Sequence, residues 1–257
     1  MKIGAALCVL LLSVIAVHAA EIATADRKSG FEFMGRDTQA MQTDDTSNPG
    51  MLNVLDGGAL WERPEGADKK ACASCHGDAS QRMKGVAARY PAFDATAGQV
   101  VDLGQRINLC RRDHQKAPEL AYESRDLLAL SAFVARQSRG QPIAIADDAR
   151  SANALMQGRK LFNERMGQLN LSCAICHDDN WGQKLGGTSI PQGHPNGYPL
   201  YRLAWQAMGS LQRRLRNCMI GMRAEPFSYG SSEFIALELF LMQRAQGMAM
   251  ESPAVRP

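Results

Sequence analysis

The sequence feature that most constrains this chain is the pentapeptide Cys-x-x-Cys-His, which occurs twice, at Cys72–His76 and Cys173–His177. Cysteines three residues apart lie about one helical turn from each other, so their sulfur atoms can bond to the two vinyl groups of one porphyrin. The histidine that follows can bind the iron, and the motif is typical of covalent haem c attachment. Zinc sites and thioredoxin-like redox centres also use Cys-x-x-Cys, but neither requires this histidine in both copies. The chain is therefore predicted to carry two covalently bound haem c groups.

Within these motifs, the predicted haem-binding residues are Cys72, Cys75, His76, Cys173, Cys176 and His177.

The N-terminus is typical of a secretory signal peptide over residues 1–19. Lys2 precedes an apolar run from Ile3 to Val17, and Ala19 suits a cleavage site. The run is shorter than the roughly 20 residues of a membrane-spanning helix, so we expect cleavage, export to the periplasm and no membrane span in the mature form. A retained anchor is the alternative. The formal net charge of +3 gives no indication of a nucleic-acid partner.

The chain also contains an internal repeat, which is visible when the two pentapeptides are superimposed so that Cys72 falls on Cys173. Further along, a slightly larger shift aligns two Tyr-Pro dipeptides, each at the same distance before a cysteine. Two apolar-periodic segments that each end at a glycine complete the match. The matched positions are Gly57 with Gly158, Leu60 with Leu161, Trp61 with Phe162, Tyr90-Pro91 with Tyr198-Pro199, Leu103 with Leu211, Arg106 with Arg214, Cys110 with Cys218 and Gly140 with Gly247.

Each copy is expected to form a helix leading into the pentapeptide, a loop-rich middle and a closing helix, with too few alternating apolar runs for a sheet. This order resembles the class I cytochrome c fold, so we predict a mainly α chain of two tandem domains. The predicted bounds are an extended N-terminal arm at 20–50, domains at 51–140 and 151–250, a linker at 141–150 and a C-terminal tail at 251–257. The interval from His177 to Cys218 is longer than that from His76 to Cys110, which predicts an extra loop within Trp181–Pro199.

The sixth iron ligand would decide the function, because an iron held by one histidine needs a second ligand or keeps an open position. In the first copy Met83 follows the histidine too closely to reach across the ring, which leaves Cys110 and His114. In the second copy the candidates are Met208, Met219, Met222, His194 and Cys218. Cysteine is the only plausible ligand type at the same place in both copies. A Cys110–Cys218 disulfide or two buried thiols are the alternatives.

The segment Arg213–Cys218, followed by Gly221–Pro226, is similar to the active-site segment of the SoxA family, dihaem cytochromes of the bacterial sulfur-oxidation system. The resemblance covers most of the mature chain, and an Arg-x-x-x-Cys element in each half makes it more specific than tandem haem motifs alone. It implies an active-site haem in the second domain, ligated by His177 and Cys218.

In the first domain, the resemblance implies iron ligation by His76 and Cys110.

The resemblance also implies the activity, that of an L-cysteine S-thiosulfotransferase. Such an enzyme joins thiosulfate oxidatively to a cysteine of SoxY in the SoxYZ carrier complex. Two electrons would leave through a SoxX-type monohaem partner in a heterodimer and then to a small cytochrome c.

The roles of two residues in α-helical register follow from the same resemblance. Cys218 would carry out the sulfur chemistry. Arg214 would lie on the same face of the helix and bind the thiosulfate dianion, because the two donor groups of a guanidinium can bind two oxyanion oxygens at once. Arg213, Arg216 and Arg223 would widen the positive field.

Two other functions remain open from the sequence. A non-catalytic dihaem electron carrier would use Met219 or Met222 on the second iron. A dihaem thiosulfate dehydrogenase would release tetrathionate without a protein carrier.

Overall fold

The structure is a computed structural model that describes residues 22–257, so the predicted signal peptide lies outside the described residues. Across these residues no helix is both long and apolar enough to cross a membrane. The prediction of a mainly α chain is confirmed. The α-helices are α1 Arg36–Thr43, α2 Gly50–Glu62, α3 Cys72–His76, α4 Ala79–Arg82, α5 Leu103–Cys110, α6 Arg125–Arg136, α7 Ala152–Asn163, α8 Cys173–His177, α9 Leu211–Gly221 and α10 Ser232–Arg244. The strands are β1 Ala92–Asp94, β2 Gln99–Val101, β3 Lys184–Leu185, β4 Thr188–Ser189, β5 Leu200–Arg202, β6 Ala207–Gly209 and β7 Ala254–Arg256.

Each half of the chain contains a pair of long helices that cross at a glycine. Helix α2 packs against α6, and α7 packs against α10. A Cβ atom at Gly57 would overlap the carbonyl oxygen of Ala129, and one at Gly158 would overlap that of Ala236. Only glycine lets the two backbones approach so closely. The repeated glycine of the sequence therefore marks the same helix crossing in both halves.

The segments before the later cysteines also fold alike. Each begins at a cis Tyr-Pro peptide bond, continues as an antiparallel hairpin and leads into a helix. Asp94 ends β1 opposite Gln99, and Arg202 ends β5 opposite Ala207, so the two hairpins share one register. The alignment of the two Tyr-Pro dipeptides therefore also superimposes the two hairpins residue by residue.

Polar side chains fix where the two cysteine-bearing helices begin. The Asp102 side chain accepts a hydrogen bond from the backbone N–H of Gln105 at the start of α5. At the start of α9, the Ser210 hydroxyl accepts one from the backbone N–H of Arg213. Such N-caps satisfy backbone donors that the first helical turn leaves without partners. They fix the residue at which each helix begins and therefore the face of the helix on which its cysteine lies.

The expectation that the chain forms no sheet is wrong in both halves, and the larger sheet lies in the second. Strands β6, β5 and β7 form a three-stranded sheet in that order, with β7 parallel to β5. Strand β7 lies within the residues predicted to be a C-terminal tail. Three residues are too few to show alternation, and their pairing partner is far away along the chain, so the pattern of the sequence did not indicate this strand.

The expectation of an extended arm at residues 20–50 is wrong for α1, which packs against β7. The side-chain oxygen of Gln42 accepts a hydrogen bond of 3.1 Å from the backbone N–H of Val255. Helix α1 is short and polar, with Ala40 and Met41 as its apolar residues, so contacts with distant residues hold it in place.

An apolar cluster joins the two halves. Ile143, within the predicted linker, is 1% exposed and packs with Ala88 and Ala135 of the first half and Met242 and Met250 of the second. Its backbone N–H also donates a 2.9 Å hydrogen bond to the carbonyl of residue 248. Residues 141–150 therefore contribute to the interior between the halves.

Candidate functional site

Helices α8 and α9 contribute four predicted site residues to one open cavity of about 1090 Å³ in the second half. Cys173 and His177 come from α8, and Arg214 and Cys218 come from α9. Arg214 precedes Cys218 by four positions, which places both on one face of the helix. Much of the remaining wall is apolar and includes Phe162, Leu211, Leu215, Leu237 and Leu241.

His177 is oriented by the backbone. Its Nδ1 atom lies 2.7 Å from the carbonyl oxygen of Pro191, and since a carbonyl only accepts, Nδ1 carries the proton. Burial lowers the pKa of His177 to about 4, against the opposing effect of this hydrogen bond, so the ring is neutral at pH 7. The Nε2 atom therefore keeps a lone pair for a metal ion.

The predicted extra loop covers this side of the cavity. Thr188, Ser189, Pro191, Gly193 and His194 all belong to the lining, and strands β3 and β4 form a short hairpin within the loop. The backbone of Gly193 has a φ of +76° and approaches the His177 ring so closely that a Cβ atom there would lie 3.0 Å from it. Glycine is required at this position both for its conformation and for the approach.

His194 follows directly and lies on the same side, since its neighbour Gly193 packs against the His177 ring. Its Nε2 atom is 3.2 Å from the side-chain oxygen of Gln192, and burial lowers its pKa to about 3. His194 is therefore a neutral residue of the cavity wall whose Nε2 atom is in contact with Gln192.

The first half contains the equivalent cavity, of about 1000 Å³. Helix α3 contributes Cys72, Cys75 and His76, and α5 contributes Arg106 and Cys110. Cys75 and His76 are exposed, whereas the corresponding residues of the second half are half-buried. The extra loop has no counterpart here, so the first cavity is the more open to solvent.

The methionines considered as sixth ligands in the second half are part of the core. Met219 and Met222 are buried in the cluster around Phe162, and Met208 packs with Val54 and Leu128 of the first half. In the described residues none of the three lines the cavity of the second half. Of the sulfur-containing candidates for the sixth ligand of the second half, only Cys218 lines this cavity in the part of the chain that the structure describes.

In the first half Met83 and His114 both line the cavity. Met83 packs beside Trp61 and Val134, and His114 is exposed.

The alternative roles for the cysteines do not fit the structure. Cys110 and Cys218 line different cavities and both are free thiols, so they form no disulfide. Burial raises the pKa of Cys173 to about 12 and raises that of Cys72 as well. Thioredoxin-like motifs need a lowered thiol pKa, so these pairs are not suited to disulfide exchange.

Three arginines expected to widen the positive field lie elsewhere. Arg213 stacks on Trp205 at 4.3 Å and Arg216 donates to the Phe227 carbonyl, while Arg223 is exposed. Within the described chain none of them lines the cavity, so none is placed to contact an anion bound there. The charged residues that accompany Arg214 there are Arg202 and Arg256, which sequence reasoning missed.

The two cavities fit covalently bound haem. A Cys-x-x-Cys-His helix lines each cavity, with Cys72 and Cys75 in the first and Cys173 in the second. Each cavity also has a histidine able to ligate iron, a further cysteine on a separate helix and a largely apolar wall. The hydrogen bond from Nδ1 of His177, which leaves Nε2 for the metal, is the strongest single indication. Two helical repeats with such sites define a c-type cytochrome of two domains.

Comparisons with known proteins agree with this class. A model of the SoxA/TsdA cytochrome c domain matches residues 56–143 and 157–250. The L-cysteine S-thiosulfotransferase subunit SoxA of Rhodovulum sulfidophilum is 41% identical over 229 residues, covering 89% of this chain and 80% of the relative. That of Paracoccus pantotrophus is 32% identical, covering 89% and 78%. The crystal structure of SoxXA from P. pantotrophus superimposes with a TM-score of 0.86 at 32% identity, covering 90% of this chain and 87% of the other.

The chain belongs to the SoxA family. The prediction of tandem cytochrome c domains is confirmed.

Proposed function

We propose that this protein is the SoxA subunit of an L-cysteine S-thiosulfotransferase, which conjugates thiosulfate to a cysteine of the carrier protein SoxY. The names of its relatives support the activity. The observation that carries the assignment of the site is the position of Arg214 and Cys218 on one face of α9, in the cavity that also holds His177. A pure electron carrier would need neither residue there.

The reaction joins two sulfur atoms and is an oxidation. The carrier thiolate and the outer sulfur of thiosulfate form a new S–S bond, the product is the carrier S-thiosulfonate, and two electrons are released. A neutral carrier thiol would in addition release one proton. The protein must therefore bind a dianion, align two sulfur atoms and remove an electron pair.

The residues of the second cavity suit these tasks. Arg214 has no carboxylate within 4.0 Å among residues 22–257, so its guanidinium is available to a bound oxyanion. Cys218, one helical turn further, would form an S–S bond with the outer sulfur of thiosulfate as the electron pair leaves. The carrier thiolate would then attack that outer sulfur, with the Cys218 thiolate as leaving group. Direct coupling of the two substrates is the alternative order.

Two covalently bound haem c groups would accept the electrons, and each supplies reversible one-electron chemistry at iron. In the second domain Cys173 and Cys176 would form the thioethers and His177 and Cys218 would ligate the iron.

In the first domain the corresponding residues are Cys72 and Cys75 for the thioethers and His76 and Cys110 for the iron.

The proposed setting is the periplasm, after removal of the signal peptide. The similarity to a SoxXA structure supports a SoxX-type monohaem cytochrome as the partner in a heterodimer. The SoxYZ complex would deliver the carrier thiol, and a small cytochrome c would take the electrons onward.

The function is tested by the product formed from thiosulfate. Purified protein with its SoxX-type partner is incubated with thiosulfate, SoxYZ and oxidised cytochrome c, and the mass of SoxY is measured. We expect SoxY to gain one thiosulfonate group per two cytochrome c molecules reduced. Tetrathionate formed equally well without SoxYZ would instead assign a thiosulfate dehydrogenase.

A further inference from the structure

The two hairpins carry opposite charges at one equivalent position. In the first domain Asp94, at the end of β1, binds Arg106 of α5, with 3.0 Å between Oδ2 and Nη1. The hairpins share one register, and their superposition places Arg202 where Asp94 stands and Arg214 where Arg106 stands. The second domain therefore has two arginines in place of an ion pair.

Both of these arginines line the active-site cavity. Among residues 22–257, neither has a carboxylate within 4.0 Å. The guanidinium of Arg202 lies 5.5 Å from the Trp205 ring, a contact that orients the side chain without neutralising its charge. The cavity wall thus presents two guanidinium groups whose charges the protein itself leaves unbalanced.

A third arginine, Arg256, lies beside Arg202 but has its own counter-ion. Arg256 of β7 is the register partner of Arg202 in the parallel pair, so two like charges lie side by side on adjacent strands. Arg256 is paired with Glu251 at 2.7 Å. Burial, followed by the charge of Arg214, lowers the pKa of Arg202, and the thiol of Cys218 is among the groups that act on it electrostatically. Like charges placed opposite each other in a sheet are unfavourable unless an anion offsets them.

We propose that Arg202 and Arg214 together bind the sulfonate oxygens of thiosulfate, with the outer sulfur left free beside Cys218. This inference rests on the proposed function. A sulfonate has three oxygens and can accept hydrogen bonds from two guanidinium forks at once, whereas one arginine can engage only two of the oxygens. Arg202 is thus a substrate-binding residue that determines specificity for a tetrahedral oxyanion.

The same comparison explains why the first domain would not bind this substrate. There Asp94 occupies the guanidinium of Arg106, and a carboxylate at that position repels an anion. The first domain has Asp94 at this position and forms an ion pair, whereas the second domain has Arg202 there and forms an anion site on the same scaffold.

A haem propionate is the other anion that these arginines could bind. The experiment distinguishes binding of thiosulfate from binding of a propionate. Holoprotein variants Arg202→Gln, Arg202→Lys and Arg202→Asp are compared with the wild type and with Arg223→Gln, whose arginine is exposed and outside the cavity. Thiosulfate binding to the oxidised protein is measured by isothermal titration calorimetry without carrier protein. The reduction potential of the second haem, the haem content and the far-UV spectrum are recorded for each variant.

We expect Arg202→Gln to raise the Kd for thiosulfate by about tenfold, which corresponds to about 1.4 kcal/mol, with an unchanged potential. Arg202→Asp recreates the ion pair of the first domain and should weaken binding by about 100-fold. Arg202→Lys keeps the positive charge but not the two-pronged guanidinium, so we expect its Kd for thiosulfate to rise about threefold. This variant keeps the test valid even if the other two variants fail to fold.

An unchanged Kd in Arg202→Gln, or in Arg202→Lys where only that variant folds, overturns the proposal. If the potential of the second haem shifts at the same time, Arg202 binds a propionate instead. Binding that depends on Arg202 in a protein unable to modify SoxY would leave this inference intact and remove the proposed function.

Discussion

The carboxylate of Asp178 and the guanidinium of Arg244 form an ion pair that is almost fully buried, with side-chain exposures of 7% and 3%. Asp178 directly follows His177, and Arg244 is the last residue of α10. The Arg244 guanidinium also stacks on Phe162 at 4.4 Å and donates to the carbonyl of Gln192. One arginine thus ties the haem-binding helix, the extra loop and the core helices together.

Loss of this pair should be costly, because it leaves a charge in the interior without its counter-ion. We expect Asp178→Ala to lower the free energy of unfolding by about 3 kcal/mol or more, measured by chemical denaturation with far-UV circular dichroism. The control is Asp56→Ala, which removes an exposed pair with Arg125 and should lower stability far less, because solvent screens the two charges. Equal losses of unfolding free energy in the two variants would show that burial of the ion pair does not increase its contribution to stability.

The close helix crossings predict that alanine at either crossing glycine lowers the stability of the protein. Gly57→Ala and Gly158→Ala each place a methyl group on a neighbouring carbonyl, and we expect a loss of stability of about 1–3 kcal/mol. Gly221→Ala, near the end of α9, meets nothing within 4 Å and should be neutral or stabilising by about 0.5 kcal/mol. Thermal unfolding of the three variants compares these sites directly, and a stable Gly158→Ala protein would contradict the close crossing.

Replacement of the two later cysteines should separate the roles of the two domains. We expect Cys218→Ser to abolish SoxY modification and to remove one thiolate-type signal from the low-temperature EPR spectrum of the oxidised protein. Cys110→Ser should remove the other signal and keep most of the activity, since its cavity lacks the anion site. Loss of activity in both variants with retained haem content would place the first domain in the essential electron path.

Arg214→Ala should leave both haems attached and lower kcat/KM for thiosulfate by about 100-fold, as expected for the loss of a bidentate charge-assisted interaction. Arg213→Ala is the matched control, because Arg213 is adjacent on α9 yet stacks on Trp205 outside the cavity. Its kcat/KM should stay within about threefold of the wild type. Similar losses in both variants would indicate a general effect of charge on α9.

An acidic group enclosed between the domains predicts a pH effect. Desolvation, followed by the charge of Asp102, raises the pKa of Glu238 well above its usual 4.5, so the folded protein retains a proton that the unfolded chain has lost. Stability contributed by the neutral form is therefore present below pH 4.5 and is lost as the pH rises toward the raised pKa.

Glu238→Gln should remove this dependence. We expect the unfolding free energy of the variant, relative to wild type, to increase as the pH is raised from 4.5 to 8, measured by urea denaturation at several pH values. Glu62→Gln, at an exposed position, is the matched control for the loss of one carboxyl group. A flat difference for Glu238→Gln would mean that Glu238 is ionised in the folded state at all of these pH values.

Features set by local spacing were predicted from the sequence. The haem motifs, the repeated glycines and the common face of Arg214 and Cys218 all depend on residues within one helix or on the similarity of two segments. The extra loop beside the second cavity also followed, because an insertion between matched motifs must leave the shared scaffold.

Features set by distant pairing were not predicted. Arg202 and Arg256 come to the cavity through the pairing of β5 with β7, and Arg244 reaches Asp178 across 66 residues of chain. The periodicity of apolar residues along the sequence gives no information about such contacts. The aligned repeat did contain one usable signal, the replacement of Asp94 by Arg202, but its meaning depends on the register of the hairpins.

The two ends of the described chain meet beside the second cavity. Ser29 hydrogen-bonds Glu251 across 222 residues, and Gln42 holds Val255 across 213. Each of these contacts closes a loop of more than 200 residues, and the chain entropy of such a loop opposes closure. The wall of the second cavity is therefore shared by the two segments that lie farthest apart in the described sequence, so a substitution near either end can alter the surroundings of Cys218.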